Sequence, residues 1–209
     1  MELIENLKWR YATKKFSPNK KVSKDDLEKI KEAVQLSASS YGLQLYKVII
    51  IKDKALREKL KPASWGQSQI TDASHLFVFC NYSVIKDEHI DEFLELKTKI
   101  QELKPEGLKG YGDFIKKKLT ERTAEENSNW TAKQAYIALG NLLTACAEFK
   151  IDACPMEGFE HDMYDEILGL SKQGLQAAVL ATIGYRAEED TTQHAAKVRK
   201  SFSDLFEEI

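Results

Sequence analysis

Residues 129–149 read NWTAKQAYIALGNLLTACAEF, and this stretch decides how the rest of the chain is arranged. It is rich in Ala and Leu and apolar over much of its circumference, so it predicts a long helix with little solvated surface. Such a helix belongs at the centre of a domain or in a subunit interface. Upstream, Leu45–Lys52 is a compact β-branched run and His75–Tyr82 (HLFVFCNY) is rich in aromatic and branched residues; both predict buried strands. Downstream, Gly174 precedes a third predicted strand, Leu175–Tyr185. Three strands at irregular spacing, outnumbered by helices, do not make a regular βαβ series. They predict an α+β domain, or a three-layer α/β/α one.

The remaining segments fit around that frame. Residues 2–10 predict a short helix with Leu3, Ile4 and Leu7 on one side. Ser23, with Asp26 three residues on, caps a second helix in which Leu27, Ile30 and Val34 recur at helical spacing. Further helices are expected at Asp53–Leu60, stopping before Pro62, and near Asp162–Leu168, while Ile151–Phe159 reads as a loop. From about 87 to 125, Lys and Glu dominate and Pro105, Gly107, Gly110 and Gly112 divide the stretch into two helical pieces. This is an excursion from one domain covering 1–209, not a second domain. The polar end of the chain carries Phe202, Leu205, Phe206 and Ile209, an apolar set that must pack on something.

Composition removes several classes of function. With 43% hydrophobic and 31% charged residues among 209, a folded protein is expected. The longest apolar runs, such as Val48–Ile51, fall far short of the roughly 20 residues of a membrane helix. The first residues carry neither a basic leader nor a signal core, so a cytoplasmic protein with no membrane contact is expected. A net charge of −2 argues against nucleic acid as partner. Cys80, Cys146 and Cys154 form no C-x-x-C pair, and the four histidines are scattered, so no metal site is expected. Gly110-Tyr111-Gly112 lacks the third glycine of a dinucleotide fingerprint, and no Walker loop, G-x-S-x-G or H-E-x-x-H is present.

The charge is unevenly distributed. Lys8, Arg10, Lys14, Lys15, Lys20, Lys21 and Lys24 crowd the start, while His194, Lys197, Arg199 and Lys200 crowd the end. These are either two solvated basic faces or two halves of one anion site. Arg10 and Lys14 lie four residues apart at a helix end, and Lys197 and Arg199 alternate on one side of an extended segment. Pro155-Met156-Glu157-Gly158-Phe159 lies between them in sequence, a loop where backbone can approach a ligand closely. Together these features favour an anionic ligand with a flat ring.

Six blocks in order carry a family resemblance: Arg10–Lys14, Ser37–Ser40, Asp72-Ala73-Ser74-His75, Trp130–Gln134, Pro155–Phe159 and Lys197-x-Arg199. With them the chain resembles the oxygen-insensitive NAD(P)H nitroreductase family over almost its whole length. The resemblance implies a central, mostly antiparallel sheet flanked by helices, in a homodimer with an exchanged C-terminal tail. It implies non-covalent FMN, with NADH or NADPH as reductant and nitroaromatics, quinones or similar small electrophiles as acceptors. Flavin, quinone or pteridine reduction on the same scaffold is the alternative, and a non-catalytic flavin-binding or nucleic-acid-binding protein a remote one.

The same resemblance assigns residues. Arg10, Lys197 and Arg199 would hold the FMN phosphate, with Tyr11 and Ala12 beside them, and Lys14 would sit near the pyrimidine edge of the ring. Pro155, Met156, Glu157 and Gly158 would line the ring, the last two through backbone N–H groups. Ser39 and Ser40 would come from the other subunit. Gln67 supplies an amide near the ring, and Gln69 stands where relatives often carry a lysine, leaving Lys14 as the only cation there. Ala12 lacks the hydroxyl that many relatives offer the phosphate, and Leu43-Gln44-Leu45-Tyr46 replaces a common Ser-Gln-Pro-Trp run. Tyr41 and Trp65 are candidate pocket walls, Phe114 is a gate over the flavin or a core residue, and Trp130 is read as a helix packing residue.

Overall fold

In the computed structural model, which describes residues 2–209, four antiparallel strands form one sheet. They are β1 (Tyr46–Ile51), β2 (His75–Tyr82), β3 (Asp152–Met156) and β4 (Leu175–Gly184), in the order β1–β2–β4–β3. The helices are α1 (Glu2–Trp9), α2 (Lys24–Gln35), α3 (Lys54–Leu60), α4 (Gln69–Asp72), α5 (Asp87–Gln101), α6 (Lys109–Thr120), α7 (Ala124–Glu148), α8 (His161–Leu168) and α9 (Phe202–Leu205).

Side-chain alternation in β2 explains the layering. Leu76, Val78 and Cys80 point to one face, where Leu60 of α3, Ile70 of α4 and Tyr164 of α8 complete a buried cluster. Phe77 and Phe79 point to the other, against Ile30 and Val34 of α2 and Ala135, Leu139 and Leu142 of α7. In β4 the phase of alternation changes: Leu175 and Ala177 share the first face, whereas Val179, Ala181 and Ile183 share the second. The cause is a bulge, since Phe79 pairs with Val179 but Cys80 pairs with Ala177, leaving Ala178 unopposed. The α+β, three-layer expectation therefore describes this chain. In the excursion, Ile90 of α5 and Ile115 and Leu119 of α6 bury themselves against Leu43 and Leu45.

Three local expectations change. The segment read as the loop Ile151–Phe159 contains the edge strand β3. Pro155 is tolerated there because an edge strand need not donate from every residue. The long helix starts at Ala124, five residues before Asn129, because Thr123 and Glu126 form a reciprocal capping box. In α1 the buried residue is Asn6, while Leu3 and Ile4 are exposed. Asn6 donates to Glu148 Oε2 at 2.7 Å and accepts from Lys150 Nζ, which pins α1 to the end of α7.

Gly184 ends β4 where backbone and ring crowd together. A Cβ there would lie 2.9 Å from Phe16 Cδ1 and 3.0 Å from the Ser74 backbone nitrogen. That nitrogen belongs to the residue leading into β2 and has little room to yield, so Gly184→Ala should destabilise the fold by about 2 kcal/mol. A urea melt is expected to show a lower midpoint with an unchanged slope.

Candidate functional site

The strand β3 organises the site. Beside it runs the N-terminal segment after α1: Ala12 forms a parallel bridge with Ala153, and the Thr13 N–H donates to the Ala153 carbonyl at 3.3 Å. This places the Arg10–Lys14 block next to Cys154 and the residues that follow it.

A buried carboxylate fixes that block. Asp190, 1% exposed, accepts at Oδ2 from the Tyr11 hydroxyl (2.8 Å), the Lys14 N–H (2.8 Å) and the Lys15 N–H (3.1 Å). Its Oδ1 accepts from the Thr192 N–H at 3.1 Å. Burial raises the carboxyl, but the Lys15 and Lys14 amides and the Tyr11 hydroxyl outweigh it and bring it down to about 2. A second acid works alongside: Asp152 accepts from Arg186 Nε at 2.8 Å and from the Arg186 N–H at 2.7 Å. The Arg186 guanidinium lies over the rings of Trp9 (4.4 Å) and Tyr11 (4.6 Å).

On this platform three cations converge. Lys197 Nζ donates to the carbonyls of Lys8, at 2.6 Å, and of Arg10, which ties the C-terminal segment to the end of α1. Burial lowers the Arg10 guanidinium first, and repulsion from Arg199 lowers it further. Lys197 is lowered likewise, by burial and then by Arg10 and Arg199. Among the described residues none of the three makes an ion pair with a carboxylate. Like charges gathered without a counter-charge form a site for an anion.

The neighbouring side chains are small, neutral or exposed. Gln69 is 6% exposed; the Cys154 thiol, which burial pushes up despite the nearby Lys14, donates to the Pro155 carbonyl at 3.6 Å. Pro155 is half-buried and Met156 is buried in the core. Gln67 Nε2 donates to the Gly158 carbonyl at 2.8 Å. Trp65 lies so close that a Cβ on Gly158 would come within 2.7 Å of its ring. Its Nε1 donates to Glu160 at 2.6 Å, yet the indole remains 66% exposed. Glu157 accepts at its carboxylate from the Tyr136 hydroxyl of α7, at 2.7 Å. Neither the Glu157 nor the Gly158 N–H is spent among the turn and loop hydrogen bonds.

The other assigned residues form a second group. The Ser40 N–H donates to Gln134 Oε1 at 2.8 Å, and Ser39 Oγ accepts from the Gln44 N–H at 3.0 Å. Tyr41, at φ 56°, meets Phe114 edge-on at 6.4 Å and Trp130 at 6.1 Å. Phe114 is 46% exposed, which settles against a core role, and Trp130 packs between Tyr41 and the Arg122 guanidinium. No hydrogen bond or aromatic contact among the described residues joins this group to the first. Gln134 and Tyr136 explain the separation: two residues apart in α7, they point about 200° apart around its axis. The sequence reading missed Asp190, Asp152 and Tyr136. Of these only Asp190 left a local signal, an acid before Thr191-Thr192 in the manner of a cap.

A model of the nitroreductase family matches residues 7–185. A Staphylococcus aureus protein with the provisional name NAD(P)H nitroreductase is 35% identical over 98% of this chain and 94% of its own length. A Bacillus subtilis structure provisionally named nitroreductase ydfN superposes with a TM-score of 0.89 at 20% identity, covering 100% of this chain and 99% of that one. A provisionally named nitroreductase of Exiguobacterium sibiricum, solved in complex with FMN, gives 0.84 at 19% identity, with 100% and 98% covered. No helix of the chain is long and apolar enough to cross a membrane.

Asp190 gives the geometry a pH signature. Its carboxyl falls from an ordinary 3.8 to about 2 on folding, worth roughly 2 kcal/mol. A depressed carboxyl stabilises above its unfolded value, so this contribution is full above about pH 5 and fades as pH falls from there toward 2. Asp190→Asn should lower the unfolding free energy at pH 7 by about 2 kcal/mol and leave a flatter stability profile between pH 5 and 2. Denaturant melts across that range read both.

Proposed function

The chain belongs to the nitroreductase family, and from that premise we propose that it is an FMN-dependent oxidoreductase. Its reductant is NADH or NADPH, and its acceptors are nitroaromatics, quinones or similar small electrophiles. The observation that carries this reading is the convergence of Arg10, Lys197 and Arg199 with no carboxylate between them. Their charge and N–H donors fit a phosphate monoester dianion, each charge-assisted contact being worth about 1.5–3 kcal/mol. The exposed Trp65 beside Gly158 leaves the neighbouring wall open to flat acceptors of more than one kind. FMN, when bound, supplies two-electron redox chemistry between reductant and acceptor.

The chain's own residues bind and orient. Arg10, Lys197 and Arg199 hold the phosphate, Lys14 brings positive charge to the polar edge of the ring, and Gln69 offers a neutral amide. Glu157 and Gly158 present two N–H donors on a loop held by the Gln67 and Tyr136 hydrogen bonds. Ser39, Ser40, Tyr41 and Phe114 act in the site of a second copy, so the working unit is a homodimer with shared sites. Two features support this: the separation of the residue groups within one chain, and the apolar surface left bare. Ile137 and Tyr136 on α7 are 46% and 40% exposed, and Phe202, Leu205 and Phe206 of the tail 84%, 61% and 61%. Three buried, unpaired cysteines suit a reducing compartment such as the cytoplasm.

Charges beside the phosphate and beside the ring should separate experimentally. Arg199→Ala is expected to weaken FMN binding by at least about tenfold while leaving the midpoint potential of bound flavin unchanged. Lys14→Met is expected to lower that midpoint by about 30 mV or more, because a cation near the ring interacts more strongly with the reduced state. Fluorescence titration and a dye-referenced redox titration measure the two. A protein that takes up no FMN, or a Lys14→Met midpoint equal to wild type with flavin fully bound, overturns the respective assignment.

Light scattering at micromolar concentration should give a dimer mass. Deleting residues 201–209 should shift it toward monomer and release FMN together. A monomeric full-length chain that binds FMN tightly contradicts the shared site.

A further inference from the structure

Lined in part by Thr71 and Asp72 of α4 lies a second basic concavity, with a volume of about 650 Å³, that the proposed redox site does not use. Lys21, Lys52, Lys54 and Arg57 line it together with only two acids, Glu58 and Asp72. Among the described residues none of the four cations forms an ion pair.

One of the cations is built into the floor. Arg57 is 3% exposed and donates from Nη1 to the Ser74 carbonyl at 3.1 Å and from Nη2 to the carbonyls of Ala73, at 2.6 Å, and Thr71. Its Nε is buried and has no partner. A guanidinium at such a depth, with a donor to spare and no carboxylate bound to it, is costly unless a negative group completes it.

The neighbours show the same excess of positive charge. Lys21 is lowered by burial and then by Arg57 and Lys54, with Asp72 opposing. His75 is lowered to about 4, by burial first and then by Lys52, Arg57 and Lys21. It is therefore neutral at pH 7, and its Nδ1 lies 3.0 Å from Ser74 Oγ, which itself accepts from the Val22 N–H. With His75 uncharged, four cations against two acids leave the lining at +2, the complement of a phosphate monoester dianion.

We propose that this concavity binds a small sugar phosphate. Lys21, Lys52, Lys54 and Arg57 receive the phosphate, and Glu58, Asp72 and Asn19 meet the hydroxyls of the sugar. The volume exceeds what a bare phosphate fills and falls in the range of small-ligand pockets. No Phe, Tyr or Trp lines it, so it offers no platform on which a nucleotide base would stack.

The test is calorimetric titration of FMN-saturated protein in buffer of constant chloride, with ribose 5-phosphate, inorganic phosphate and ribose as separate titrants. Ribose 5-phosphate should bind at one equivalent per chain, more tightly than inorganic phosphate, and ribose should give no heat. The Lys52→Met/Lys54→Met double variant, changed at two exposed positions, should weaken ribose 5-phosphate by about tenfold or more. Arg199→Ala should leave it unchanged, which separates this site from the terminal cation cluster whatever that cluster holds. No saturable heat at millimolar titrant overturns the proposal, as does equal binding by wild type and the double variant. Loss on Arg199→Ala reassigns the heat to the terminal cluster. Equal affinity for inorganic phosphate and ribose 5-phosphate removes the sugar and with it the proposal as stated.

Discussion

Holding Arg10, Lys197 and Arg199 together with no counter-charge is the constraint on which the rest of the site depends, because Arg199 lowers the tendency of Arg10 to stay charged and both lower that of Lys197. The chain meets this without placing an acid against them. Asp190 grips the backbone of Lys14 and Lys15 and the hydroxyl of Tyr11, one step removed from the cluster. Asp152 neutralises Arg186, not Arg10. Lys197 turns into the carbonyls at the end of α1, where the helix presents its negative pole. Each acid therefore anchors the scaffold and leaves the three cations electrically unsatisfied. A carboxylate bonded directly to Arg10 would make the free protein more stable and would remove the attraction that an anion needs.

The long helix α7 sets the second constraint. One side carries Gln134 and, through it, the Ser40 segment; the other carries Tyr136 and, through it, the Glu157 loop. A rigid rod that positions two half-sites on opposite faces cannot bring them together within one chain. In the twofold dimer we propose, the same rod supplies one face to each of two equivalent sites, which is what an isologous interface allows. The exposed Ile137 then becomes interface rather than a solubility cost.

Much of this was legible in the sequence, for identifiable reasons. β2 and β4 are buried on both faces and read as nearly continuous apolar runs, so their existence did not depend on register. The terminal cations were legible as charge concentrated at both ends of the chain, although only the fold shows that the ends meet. β3 was hidden because Pro155 and a five-residue length offer no alternation to count. Asp190 left only its capping position before Thr191 as a local signal; its contacts with the Lys14 and Lys15 amides and the Tyr11 hydroxyl, 175 to 179 positions away, leave no pattern to read. The apolar face given to α1 failed for another reason. A short helix is oriented by its strongest anchors, and the Asn6 contacts with Glu148 and Lys150 outweigh Leu3 and Ile4.

The glutamine at position 69 follows from the same electrostatics. Its side chain is buried at the start of α4. A lysine placed there would have its charge taken out of water, which is costly. A neutral amide avoids that cost. In the proposed site the positive charge near the ring would rest on Lys14, which is exposed and therefore screened by solvent and salt. In the function we propose, the potential of a bound flavin would be set by one solvated cation and a set of neutral donors, with the clustered cations reserved for the phosphate. The same proposal gives binding and redox tuning to different charges on one five-residue block, Arg10 for the first and Lys14 for the second.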